Sequence, residues 1–143
     1  MSTYATTNQA AYAATVLRLS LGTMYLAHGL LKLLVFTPSG TAGFFASLGL
    51  PALVGPLTMV LEIMAGVLLV VGYQTRWVAT ALLPVLIGSI IFVHGANGWG
   101  FSNEGGGWEY PLFLIAASVA AALLGDGAYA IGSRKTEAKP AVA

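Results

Sequence analysis

Apolar residues run almost without interruption through four stretches of the chain, separated by short polar or glycine-rich joints. Membrane-spanning strands would instead alternate apolar and polar positions over segments of about ten residues. The pattern therefore predicts helices. The first apolar segment extends from Tyr12 to Phe36, and Pro38-Ser39-Gly40 supplies a helix stop. Gly43 to Pro51 (GFFASLGLP) is too short to cross a bilayer and reads as an interfacial or re-entrant turn of helix. A second span runs from Leu53 to Gly72. A third runs from Trp77 to Val93, with Pro84 as a kink that neighbouring helices tolerate. A polar, glycine-rich loop from His94 to Gly107 leads into a fourth span, Trp108 to Leu124. Residues 1–11 read as a short polar tail, 12–131 as the membrane domain and 132–143 as a basic tail.

The expected fold is all-α: an integral membrane bundle of four transmembrane helices. Composition agrees, because only 8% of residues are charged, whereas a soluble domain carries about 25%. A soluble bundle would also need a polar outer face, and four near-continuous apolar runs leave none. The lipid bilayer is thus the first expected partner. A net charge of +1 offers no concentrated basic patch, which excludes nucleic acid as a partner. The absence of cysteine removes disulfides, thiol redox chemistry, Cys-ligated zinc and iron–sulfur clusters together. The first apolar run, Leu19 to Phe36, exceeds the roughly 7–15 residues of a signal-peptide core, so no cleavage is expected there.

Basic residues set the orientation. Arg18, Arg76, Arg134, Lys135 and Lys139 fall on one side if the amino terminus is cytoplasmic; only Lys32 falls on the other, with Glu104 and Glu109. Both termini are then expected in the cytoplasm.

Charge within the hydrocarbon costs roughly 2.5–3.5 kcal/mol per group, so each such residue needs a partner or a purpose. At about 100° per residue, Arg18, Gly22, Tyr25, Gly29 and Lys32 share one helical stripe, with His28 at its edge. Glu62 shares a face with Gly55, Gly66 and Leu69. Counting about 1.5 Å per residue separates these groups by depth. His28, Lys32, Glu62, His94 and Glu109 form an outer polar pocket, and Arg18, Arg76 and Asp126 an inner charge cluster.

For the inner cluster the simplest role is an ion network that pins the helix ends. In the outer pocket, Glu62 paired with His28 or Lys32 serves equally as structural glue or as a proton-handling group. Under the functional reading Glu62 and His28 exchange protons, while Lys32, His94, Glu109 and Tyr25 line a substrate site. A quinone headgroup suits such a site, because its carbonyls need donors and its reduction needs protons. Axial haem ligation by His28 and His94 is disfavoured by their different depths. A metal site has no spacing motif behind it. Glu109 also falls on the first turn of a helix, where the macrodipole alone favours an anion. Asn97, Asn103 and Glu104, set among glycines, read as a flexible outer loop that either simply connects two spans, the favoured reading, or caps a pocket.

The order and spacing of several pieces resemble the DoxX family of small bacterial membrane proteins. These are "LRLSLGTMYLAHGLLKL", "FFASLGLP", "LEIMAGVLLVVGYQTR", "HGANG" and "GGWEYPLFLIAASVAAALLGDGAYAI". Arg18, His28-Gly29, Lys32, Glu62, Gly66 and Trp108-Glu109-Tyr110 carry the resemblance together. It implies four transmembrane helices, a bacterial inner-membrane home and quinone-linked redox work, since relatives include a subunit of thiosulfate:quinone oxidoreductase. Others are linked to membrane oxidoreductase complexes that handle oxidative stress. Without cysteine, a partner oxidoreductase would supply the sulfur chemistry or the electron source. The leading expectation is therefore a subunit or accessory of a membrane oxidoreductase system. The alternatives are a small-solute or proton carrier acting as a homo-oligomer, and a non-catalytic membrane scaffold.

Overall fold

The computed structural model describes residues 3–132, and every regular element in them is helical. The order is α1 (Thr3–Leu34), α2 (Thr37–Ser47), α3 (Val54–Val71), α4 (Thr75–Ser89) and α5 (Glu109–Leu124). A π turn (Ile90–His94) and a 3₁₀ turn (Gly95–Asn97) prolong α4. Arg134, Lys135 and Lys139 of the expected basic tail lie outside the described residues.

The helix α3 and the continuous stretch Thr75–Asn97 are long and apolar enough to cross a bilayer, and α1 joins them when taken with α2 as one broken span. At 16 residues, α5 is a shorter apolar helix. Its length of about 24 Å falls short of the roughly 30 Å hydrocarbon thickness. The chain is an all-α membrane protein.

Between α1 and α2 the chain bends by 100°. Thr37 makes the corner with a left-handed backbone (φ 63°), and its Oγ1 accepts the Gly40 N–H at 3.2 Å. That is the job of a helix N-cap. Pro38 follows within the first turn, where its missing N–H costs nothing. The proline expected to stop one helix thus starts the next, and α2 is longer than the short turn expected from Gly43 onward. A β-branched residue in this conformation is strained.

Packing between α1 and α3 depends on glycine. A Cβ on Gly66 would lie 2.8 Å from the Leu26 backbone nitrogen and 2.9 Å from the Gly22 oxygen. Lipid supplies no hydrophobic drive for helix association, so close backbone approach provides the dispersion contact instead. Gly55 does the same for α2, since its Cβ would meet the Thr41 carbonyl oxygen at 2.7 Å. The core that remains is aliphatic around one tyrosine, with Leu69, Ala79 and Leu82 completely buried beside Tyr25.

The loop expected to be a flexible connection is folded on itself. The Asn97 amide donates toward the carbonyls of Val93, Gly105 and Gly106, and Asn103 donates to the Asn97 carbonyl at 2.7 Å. Trp99 and Trp108 stack edge to face at 4.6 Å between ring centroids. Backbone bonds from Trp108 to Gly98 and from Glu109 to Trp99 close the turn and launch α5.

Candidate functional site

Two polar constructions interrupt the apolar bundle. At one end α3 stops in a left-handed Gly72 (φ 70°), with the Tyr73 N–H on the Leu68 carbonyl at 2.9 Å and the Gly72 N–H on Leu69 at 3.2 Å. This glycine stop satisfies some of the final carbonyls and leaves others open. Arg18 takes them. One terminal nitrogen of its guanidinium donates to Leu69 (3.0 Å) and Val70 (2.6 Å). The other terminal nitrogen reaches Ala128 at 3.1 Å, and Nε reaches the Asp126 carbonyl at 2.8 Å. Arg18 is only 2% exposed.

The side chain of Asp126 turns elsewhere, accepting the Thr75 N–H at 2.7 Å. A carboxylate at the first N–H of α4 satisfies an orphan donor and suits the helix dipole. Arg76 is exposed, and its Nε donates to the Ala122 carbonyl at 3.2 Å. Arg18 and Asp126 therefore share a corner, but among the described residues no Arg–Asp ion pair forms. The expected ion network is instead a set of bonds to backbone groups, because helix ends offer unpaired carbonyls and N–H groups at that depth.

Toward the other end a cleft of about 910 Å³ opens among α1, α2, α3, α4 and the start of α5. The ammonium of Lys32 spans both oxygens of Glu62, at 3.0 and 2.8 Å, on the cleft wall. Their side chains are 19% and 7% exposed. Glu62 thus pairs with Lys32. His28 lies near enough to act on Glu62 electrostatically, but its Nδ1 bonds the Met24 carbonyl at 2.9 Å.

Tyr25 borders the floor with its hydroxyl 3.3 Å from Ser118 Oγ. His94 reaches the same cleft from the far side, with Nδ1 on the Gly106 carbonyl at 3.0 Å. The π turn aims it there. A π turn holds an extra residue, so His94 is rotated back by roughly 100° relative to a regular helix.

The structure brings Tyr25, His28, Lys32, Glu62 and His94 to one cavity, and leaves Glu109 outside it. Glu109 accepts the Phe101 N–H at 2.6 Å and borders a separate shallow hollow with Trp99 and Phe113. Its first-turn position makes it a clamp for the loop. Sequence reasoning missed the contribution of α2, which lines the cleft with Thr41, Phe44 and Phe45. The paired phenylalanines were the available signal, but nothing in the spacing foretold the 100° bend that turns them inward. Across from them stand Ser89 and Phe92 of the α4 stretch. Phe44 and Phe92, which line the cleft from α2 and from the π turn, are both about half exposed. No group of three or more His, Cys, Asp or Glu residues is placed to hold a metal ion among the described residues.

No solved structure matches the chain. The chain is 32% identical over 111 residues to a Bacillus subtilis (strain 168) protein named "Putative oxidoreductase CatD", with 78% of each chain covered. The DoxX family model matches residues 13–95, a stretch that contains Arg18, Tyr25, His28, Lys32, Glu62 and His94. With more than half its length matched, the chain belongs to the DoxX family of membrane proteins.

Proposed function

We propose that this protein is a subunit or accessory of an oxidoreductase system in the bacterial inner membrane, and that its cleft binds a quinone or its quinol. The observation that carries this is the Lys32–Glu62 pair on the wall of a cavity otherwise lined mainly by apolar and aromatic side chains. A lipophilic ring with polar oxygens fits such a place, because the walls take the ring and tail while the few polar groups fix its orientation. In this reading such a molecule enters from lipid past Phe44 and Phe92, the half-exposed residues of the lining. Lys32 and Glu62 anchor the head, and His28, His94 and Tyr25 line it. Kinship with a protein named as an oxidoreductase supports the redox setting. Without cysteine the chain has no thiol or Cys-ligated redox centre of its own, and in this reading a partner supplies the electrons.

Both termini are cytoplasmic in this reading. Arg18 and Arg76 then lie toward the cytoplasm and Lys32 toward the outer face, as the distribution of basic residues favours.

The test is a titration of purified, delipidated protein with decylubiquinone and with decylubiquinol under anaerobic conditions. Saturable binding of at least one form, weakened about tenfold or more in Glu62→Gln, is expected. Background binding of both forms would sink the reading.

A further inference from the structure

We propose that the cleft is built for the hydroxyl-bearing, reduced form of its ligand, a quinol or similar phenol, through two imidazole acceptors on His28 and His94. This deepens the quinone–quinol reading above and rests on it. Each ring spends Nδ1 on a backbone carbonyl, His28 on Met24 at 2.9 Å and His94 on Gly106 at 3.0 Å. A carbonyl oxygen has only lone pairs to offer, so in both rings Nδ1 must carry the hydrogen. In the neutral imidazole the other nitrogen, Nε2, is then an acceptor. Both rings border the same cavity, and among the described residues neither Nε2 is bonded to a protein donor.

The two tautomers are fixed by unrelated devices. His28 bonds back one turn along its own helix. His94 is carried on the π turn and held by a carbonyl from the far side of the 98–108 loop. A regular helix would rotate His94 off this face, so the broken regularity and the loop contact serve the same ring.

The other polar groups on the wall either favour the same form or do not discriminate. Each Glu62 oxygen accepts from Lys32 and keeps a further lone pair, which a quinol hydroxyl can also use. Lys32 keeps one N–H, which an oxygen of either form can accept. Tyr25 is within hydrogen-bond distance of Ser118. The histidine pair adds two neutral acceptors that only the hydroxyl-bearing form can satisfy. A quinone presents carbonyl oxygens, acceptor against acceptor, whereas a quinol donates an O–H to each Nε2. A site built to bond a hydroxyl discriminates strongly against the analogue that lacks it, since its own polar groups are left unmatched.

The experiment compares anaerobic titrations of decylubiquinol and decylubiquinone in the wild-type protein and in His28→Phe and His94→Phe. Wild-type protein should bind the quinol about tenfold more tightly or better, and each substitution should shrink that ratio toward one. Equal affinity or a preference for the quinone in wild type, or an unchanged ratio in both variants, would overturn the inference while leaving the quinone–quinol reading standing. Binding of neither form overturns both. The wild-type ratio needs no variant, so poor folding of one substitution does not shelter the idea.

Discussion

Arg18 and Lys32 stand on the same helix and the same face, about 21 Å apart along the axis, yet they are treated in opposite ways. Arg18 is closed in by four carbonyls from two segments, and a Cβ on Gly72 would already lie 2.8 Å from its Cζ. Lys32 meets one carboxylate beside an open cavity. A guanidinium suits the first setting because its planar fork of donors can serve several carbonyls at once. An ammonium suits the second because it is a point charge with a hydrogen bond to spare. The contrast teaches that burial of a charge does not by itself mark a functional site. What matters is whether its bonding capacity is exhausted and whether there is room beside it.

The largest effect should come from removing the closed site. Arg18→Met leaves the Val70 and Asp126 carbonyls without donors and takes one of two donors from Leu69 and Ala128, at about 1–3 kcal/mol for each buried group left unpaired. Loss of several kcal/mol, read as a collapse of folded protein in detergent thermal unfolding, is expected. A variant that unfolds like wild type would show that the carbonyls find other donors and that Arg18 is kept for another reason. Next comes Gly66→Val on the α1–α3 seam. The added side chain meets backbone atoms that cannot turn away, so a loss at or above the upper end of the roughly 1–3 kcal/mol typical of overpacking is expected.

The open site should respond differently. Glu62→Gln strands the Lys32 ammonium and lowers stability by about 1–3 kcal/mol, along with ligand affinity. Replacing both partners, as in Lys32→Met/Glu62→Leu, should restore thermal stability close to wild type, because exchanging a buried pair for apolar side chains is often neutral. It should not restore binding. Recovery of both would mean the pair is glue after all. The smallest effect belongs to Asn97→Ala, which loosens the loop for about 1 kcal/mol and alters binding only through His94 and Phe101. Unfolding curves and titrations on the same sample separate the two.

Much of this architecture is visible in the sequence because lipid permits few solutions. Continuous apolar runs must be helices, and the rarity of charge singles out Arg18, Lys32 and Glu62 by residue type alone. Their partners are less visible. Helical periodicity places Glu62 near both His28 and Lys32, and only the reach of the longer side chain decides for Lys32. Arg18 invites a carboxylate partner, but its real partners are carbonyls, which have no letter in a sequence. The corner at Thr37 and the π turn before Gly95 are equally hidden. Pro38 serves a helix start as well as a stop, and Ile90-Ile91-Phe92-Val93 looks the same in either kind of turn.

The central claim is that the open site binds a ligand and the closed one holds the fold. It is tested most directly by titrating the decylubiquinone–decylubiquinol couple into wild type and Lys32→Met/Glu62→Leu, with matched melting temperatures confirmed first. The account predicts saturable binding to the wild type and at least a roughly tenfold loss in the double variant at unchanged stability. Equal binding by the two proteins would contradict it.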